Sequence, residues 1–442
     1  MRNIFYKLSS LFTFVIAFTA TSMAQTGYSG QAKSGSIYSS IGVGSPVDNT
    51  SAGLLAQGLL GITNVSRETS AIANPALWAQ AFYTQAGTGL QLSRYSVSTE
   101  NSSGSSTELQ SGYLHLLLPV VPGKVGVSVG LYPVTRSNFK SITSYDFTAG
   151  TDTEVNFANE INSTGGISKV EAGFGFKLTK NISVGYAPSI AFINSKISEY
   201  VNFDISGFTD QYQKYEITGS TFAQRFGITG SFNNVLSSSD RLSVGATLNL
   251  PYTIDASQNF TAEKSVEGTI EEVDLSSELT ATEGDIHLPQ EFAVGIGYAP
   301  KSYLNFGAEM QVQSWSDYYN ELYPEYDGYL TDRTKIGFGG QYHPYRRGFN
   351  SFLSGFKYSA GVSYDSGHLT IQDVDTNEDV DISTLWINTG IGIPSRTASF
   401  IDLSLQYGIR GTTSNNLFQE NIWSLGLSVN LTELMFVRPK LR

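Results

Sequence analysis

From about Phe82 to the end of the chain, apolar and polar residues alternate with a period of two in one segment after another. Val170, Ala172, Phe174, Phe176 and Leu178 interleave with Lys169, Glu171, Gly173, Gly175 and Lys177. Leu242, Val244, Ala246, Leu248 and Leu250 do the same with Arg241, Ser243, Gly245, Thr247 and Asn249, as do Trp423, Leu425, Leu427, Val429 and Leu431 with Ser424, Gly426, Ser428 and Asn430. Each segment is a strand with one apolar face and one face of small or polar residues. Such segments begin near Phe82, Glu108, Lys124, Ser168, Asn181, Tyr215, Arg241, Pro289, Tyr303, Arg333, Gly355, Asp381, Phe400 and Asn421. The count is fourteen, even as a bacterial single-chain barrel requires, with twelve or sixteen as the alternatives. The first two segments carry the weakest pattern, because Leu114 to Leu118 is nearly continuous apolar apart from His115.

The connections alternate in length, as membrane barrels alternate periplasmic turns with outer loops. Short links include Val121 to Lys124, Thr179 to Asn181, Ala299 to Ser302 and Pro394 to Thr397. Long ones run from Ser141 to Gly166, Glu199 to Lys214, Gln258 to Ile286, Ser316 to Thr331 and Ser366 to Val380. Acidic residues gather in the long links, notably Glu267, Glu271, Glu272, Asp274, Glu278, Glu283 and Asp285. Basic residues favour the short links and the tail, as at Arg346, Arg347, Arg438, Lys440 and Arg442. A soluble sandwich or propeller would explain neither this alternation nor the polar face of every strand, and no four-strand repeat is visible. The pattern therefore predicts an all-β transmembrane antiparallel barrel over residues 82–442.

Two regions fall outside that pattern. Residues 1–24 read as a secretory signal: Arg2 and Lys7, then the apolar run Leu8 to Ala20, then Ser22-Met23-Ala24 before Gln25. Residues 25–81 lack the period of two and contain glycine, serine and short helical pieces such as Ser51 to Ile62. A barrel of this width leaves a lumen, so this region is expected inside it as a hatch, with a periplasmic domain or a leader as alternatives.

Composition narrows the choice further. Removing Arg2 and Lys7 with the signal takes the formal charge from −12 to −14, which excludes the basic footprint needed to bind nucleic acid. No later run reaches the ~18 apolar residues of a membrane helix. Cysteine is absent, so closure of a large sheet must do for this exported chain what disulfides do for small secreted domains. The 44 glycines, 25 tyrosines and 26 phenylalanines suit a barrel with a small-residue face and an aromatic girdle.

Thr69-Ser70-Ala71-Ile72-Ala73-Asn74-Pro75-Ala76-Leu77-Trp78, just before the first strand, resembles the Asn-Pro-Ala motif of the FadL family of hydrophobic-compound transporters. Leu288-Pro289-Gln290-Glu291-Phe292, Tyr298-Ala299-Pro300, Leu304 to Gln313 and Trp315-Ser316 resemble the family's middle strands. The likeness implies a monomeric fourteen-strand barrel in a Gram-negative outer membrane. Its N-terminal hatch would centre on Asn74, Pro75 and Ala76, and its cargo would be long-chain fatty acids or other apolar small molecules. It also implies a sideways exit at a kinked third strand, where Gly130, Tyr132 and Pro133 stand; proline removes a ladder donor there.

Phase places Glu171, Arg225, Glu309, Asp402 and Arg410 on the lumen side, where buried pairs would pin the hatch. Tyr318, Tyr319, Tyr323, Tyr326 and Tyr329 form an aromatic cluster in one long link that would line an outer groove or belong to the girdle. Asp373, Asp375 and Asn377 alternate oxygen ligands as in a calcium loop. However, Glu378 occupies the position of the EF-hand glycine and Thr384 that of its last carboxylate, so a solvated acidic loop is the simpler reading. Only His115, His287, His343 and His368 exist, with no catalytic motif beside them, and His115 reads as a packed strand residue. The expectation is a non-enzymatic carrier without a cofactor. A related barrel serving protein secretion or surface display and a general porin are the competing readings.

Overall fold

The computed structural model describes residues 35–63, 71–99, 103–149, 153–203, 210–266, 269–345, 351–372, 379–395, 399–413 and 417–433. Fourteen antiparallel strands close into a barrel. They are β1 (Thr84–Ser98), β2 (Ser103–Val121), β3 (Val125–Pro133 and Thr135–Ala149), β4 (Thr153–Lys177), β5 (Ile182–Phe203) and β6 (Gln211–Asn233). Then come β7 (Arg241–Asn249 and Tyr252–Val266), β8 (Glu283–Leu288 and Glu291–Lys301), β9 (Leu304–Gln313) and β10 (Arg333–Tyr342). The series ends with β11 (Lys357–Asp365), β12 (Thr384–Pro394), β13 (Phe400–Gly411) and β14 (Gln419–Glu433). Each strand pairs with its neighbours in sequence, and β14 closes on β1 from Thr84↔Glu433 to Ser98↔Gln419. Closure leaves no edge in this part of the wall, so its ladder groups pair with one another without water.

The period of two sets the faces. Val170, Phe174 and Phe176 on β4, Leu403 and Leu405 on β13, and Trp423, Leu425 and Leu427 on β14 are exposed on the outside. Their neighbours Glu171, Asp402, Ser404, Ser424 and Ser428 are buried in the interior. Such inverted polarity suits a wall between lipid and a filled lumen. The apolar run in β2 has the same cause with one addition. Leu114 and Leu116 face out, while Leu117 turns inward and packs on Trp78 of the N-terminal segment.

The long links differ from expectation. Much of Ser141 to Gly166, Glu199 to Lys214 and Gln258 to Ile286 is strand, because β3 to β8 continue well above the apolar belt as paired ladders. Within the last of these, Thr269–Asp274 forms a hairpin with the end of β7. The Ser316 to Thr331 link holds 3-10 turns at Trp315–Asp317 and Pro324–Tyr329, and Ser366 to Val380 holds a small hairpin. In the N-terminal segment the helix is confined to Ala52–Leu55. Residues 1–24, expected as a signal, Arg346, Arg347 and the basic tail lie outside the described residues.

Strand β3 is interrupted at Val134. Its lower half pairs with β2 only from Val121↔Val125 to Leu114↔Leu131, whereas its upper half pairs with β4 and not with β2. β4 bends at the same level through Gly165 and Gly166, whose φ values of 110° and 125° suit glycine alone. The wall therefore parts between β2 and β3 above Leu131.

Candidate functional site

Residues 35–63 and 71–81 touch the inner face of most strands. Asn74 caps the 3-10 turn Pro75–Gln80: its Oδ1 accepts from the Ala76 amide at 3.0 Å, and Pro75 begins the turn where no amide donor is needed. Its Nδ2 donates to the carbonyl of Ile62 (2.9 Å) and to that of Ile228 on β6 (3.2 Å). The motif thus joins two stretches of the segment to the wall.

Wall glycines make room for it. A Cβ at Gly175 on β4 would lie 2.5 Å from the Pro75 carbonyl oxygen, and one at Gly245 on β7 would lie 2.6 Å from that of Ile62. On the far side Gly337, Gly339 and Gly361 lie against the carbonyls of Gln57 and Gly58. Many of these glycines pair across strands, as in Gly126↔Gly175, Gly175↔Gly185, Gly185↔Gly227 and Gly339↔Gly361. Their alternating small residues were readable as a face; that the face is a seat for backbone was not.

The predicted lumen charges are all on the inner face, but they act on the segment differently. Glu309 on β9 accepts from four successive amides: Leu60 (2.7 Å), Gly61 (2.8 Å), Ile62 (2.8 Å) and Thr63 (3.1 Å). Arg225 pairs with Glu171 and donates to the Ala73 carbonyl at 3.0 Å, while Glu171 accepts from Tyr132 at 2.7 Å. This chain of bonds ties the third strand to the stretch that leads into Asn74. Arg410 donates to Ser36 (3.1 Å) and pairs with Glu420 (3.4 Å), which also accepts from the Ile37 amide at 3.1 Å. Asp402 accepts from Asn430 at 2.9 Å and lies beside Gly53. In place of the expected charge pairs, most of these side chains bond to the backbone of the N-terminal segment, which offers amides and carbonyls but few charges. The exception was missed in the sequence: Asp48 pairs with Lys335 and, at 3.4 Å, with Arg333. Burial alone would raise its carboxyl, but Lys335 and Arg333 outweigh that and hold it below the ordinary 3.8.

Upstream of Val47, the same segment lines the break in the wall. Ser45 and Pro46 pair with Arg136 and Thr135 on the free edge of β3, and the Val47 amide donates to Val134 at 2.9 Å. Gly35 bridges both sides: its amide donates to Asn138 of β3 (2.7 Å), and its carbonyl accepts from Ser106 of β2 (3.2 Å). Pro133 ends the lower half of β3 and Tyr132 is buried beside it, whereas Gly130 sits in a regular pair with His115.

One face of this segment meets an apolar cluster. Trp315 and Tyr318, with Leu322 and Tyr323 against them, join Tyr252, Ile254 and Ile286, and the cluster reaches Ile167, Val43 and Val134 at the break. The Lys169 ammonium lies over the Tyr252 ring at 4.4 Å. The other face borders a cavity of about 150 Å³ lined by Asp48, Glu108, Arg136, Arg333, Lys335 and Arg410.

Of the five link tyrosines, the four whose side chains are described do not form one cluster. Tyr318 is buried and Tyr323 packs against the same core, bonded to Gln258. Tyr319 stacks on His287 at 5.2 Å, and Tyr329 is exposed. The 3-10 turns separate them, and the side chain of Tyr326 lies outside what is described. Asp373, Asp375 and Asn377 also fall outside the described residues, among which no group of three metal-ligating side chains occurs. His115 shares a hydrogen bond with Ser128 at 2.6 Å on the inner face.

The closed fourteen-strand antiparallel barrel is the FadL-type fold. Three solved structures share it: the CymD monoaromatic hydrocarbon channel (13% identity, 87% of this chain and 97% of that one, TM-score 0.53), a Pseudomonas aeruginosa FadL homologue (10%, 88% and 99%, 0.54) and the P. putida toluene transporter TodX (15%, 88% and 100%, 0.53). No curated protein matches the sequence. The sequence profile of the BamG family matches residues 9–442, and the chain belongs to that family.

Proposed function

We propose that this chain is a monomeric outer-membrane carrier through which apolar small molecules, long-chain fatty acids among them, pass without a catalytic step. Cargo enters among the outer links, follows the apolar cluster, and leaves for the bilayer between β2 and β3 when residues 35–48 withdraw. The observation that carries this reading is the continuity of that cluster from Trp315 to Val43 and Val134, beside the break in the wall. Its own side chains fill it in the closed state. An acyl chain gains ~0.8 kcal/mol per methylene on leaving water, so it can compete for such a track, and release sideways into lipid spares it the polar cavity. Lys169 over Tyr252 gives the track one cationic point for a cargo with a polar end. The apolar character of the cargo in related channels supports the same class of molecule here.

A second reading, a plugged barrel that acts on a protein in secretion or display, is favoured by the filled lumen and the polar lining of its cavity. Mass spectrometry of extracts from the purified barrel separates the two. The carrier reading expects a reproducible apolar molecule beyond the bulk envelope lipid retained by an unrelated barrel. Bulk lipid alone together with a stoichiometric co-purifying protein would replace it with the second reading.

A further inference from the structure

Two turns at the short-link end of the barrel hold large apolar side chains away from the protein. Between β6 and β7, the Asp240 carboxylate accepts from the amides of Val235 (2.8 Å), Leu236 (2.7 Å) and Ser237 (2.9 Å). That bond set fixes a tight turn and leaves Leu236 77% and Val235 46% exposed. Between β10 and β11, the 3-10 turn Phe352–Gly355 leaves Phe352 82% and Leu353 60% exposed. Phe356 meets Phe352 edge-on at 5.0 Å, so the side chain has a defined direction.

Each turn is tied to the outside of the wall by a tyrosine. Tyr298 shares its phase on β8 with the exposed Phe292, Val294 and Ile296, and its hydroxyl donates to Asp240 at 3.3 Å. Tyr358 shares its phase on β11 with the exposed Val362 and Tyr364, and its hydroxyl donates to the Leu353 carbonyl at 3.0 Å. Tyr303 and Tyr342, packed edge-on at 6.1 Å, continue the same rim. Tyrosines in this position form the girdle where a barrel's apolar belt meets lipid headgroups. Both turns therefore hang from the lipid side of the rim, not from the lumen, and their apolar tips continue the belt.

We propose that these turns are interfacial anchors that place Leu236 and Phe352, with Val235 and Leu353, among the headgroups and upper acyl chains of the leaflet at the short-link end. Amphipathic elements that present apolar side chains beside an aromatic girdle bind the interface in this way. Two turns on separate hairpins, β6–β7 and β10–β11, would fix the tilt of the barrel and the depth at which it sits.

The absence of native cysteine makes the test direct. Leu236→Cys, Phe352→Cys and, at an exposed outer link, Glu278→Cys are labelled with an environment-sensitive nitrobenzoxadiazole dye in the full chain. The labelled chains are reconstituted in phosphatidylethanolamine and phosphatidylglycerol vesicles, and retention of the heat-modifiable barrel band confirms folding. The expected result is blue-shifted emission at 236 and 352, quenched at least twofold by acyl-chain nitroxide lipid and little by iodide, with the reverse at 278. Quenching by iodide without quenching by nitroxide lipid at both turns, the outcome also expected of a surface kept for a protein partner, would overturn the proposal. Lipid contact at only one turn would overturn the paired anchor.

Discussion

The N-terminal segment is held in two contrasting ways. Residues 50–63 and 71–81 sit with their backbone against wall glycines and inside the Glu309 carboxylate's set of amides. Residues 35–48 are held by side chains such as Asp48, Glu420 and Ser36 and by a short backbone ladder to β3, and they border a cavity while sealing the break between β2 and β3. Close backbone packing leaves no intermediate position, because interiors yield little before contacts are lost. The side-chain ties of residues 35–48 lie against the polar cavity, where water can take up their groups once they part. In the proposed mechanism the lower part therefore acts as wall, and the upper part is the piece that moves.

Breaking the lower part should have the largest effect. Glu309→Ala leaves four buried amides without an acceptor, for a loss of at least ~4 kcal/mol, seen as a lower melting temperature and new protease cleavage within residues 50–63. Gly227→Val would drive its side chain into Asn74 and to within 2.9 Å of Pro75, at about 3 kcal/mol, the upper end of what overpacking costs. Asn74→Ala removes the cap and the bond to Ile228, costing ~2 kcal/mol and raising hydrogen exchange in Pro75–Gln80.

Sharpening the upper part needs a gentler change. Asp48→Asn should cost about 2 kcal/mol, because the buried Lys335 loses its charge partner while Arg333 keeps Asp365 at 2.5 Å, and should lower the melting temperature less than Glu309→Ala does. Its effect appears in acid. Since the Asp48 carboxyl is lowered on folding, its contribution is complete above the ordinary 3.8 and is lost as pH falls through the lowered value. Protease access to residues 35–48 should therefore rise in wild type below about pH 4, and be already raised and less pH-dependent in the variant.

How much of this could be read in the sequence follows from what each feature depends on. The strands were legible because alternation such as that of Trp423 to Leu431 is a local consequence of lipid on one side. Strand ends were not, because β4 and β5 continue as ladders where the apolar face stops and no local signal marks the membrane boundary. Asn74 stood out as a motif, and the inward phase placed Glu309, but its four amide partners lie some 250 positions away. Asp48 carried no pattern at all. Its role depends on Arg333 and Lys335, brought to it only when the barrel closes. Closeness in sequence grouped the link tyrosines; Tyr318 and Tyr323 share the apolar core, whereas Tyr319 stacks on His287 and Tyr329 is exposed, a division set by the folded link and not by spacing.

The central claim is that residues 35–48 open the break between β2 and β3. Ser45 pairs with Arg136 on the β3 side of that break, so Ser45→Cys with Arg136→Cys ties the segment to β3 by a disulfide in a chain with no other cysteine. Transfer of a fluorescent fatty acid through vesicles containing this variant should stop on oxidation and return on reduction, with each single variant unaffected. Equal transfer by the oxidised and reduced forms would contradict the account.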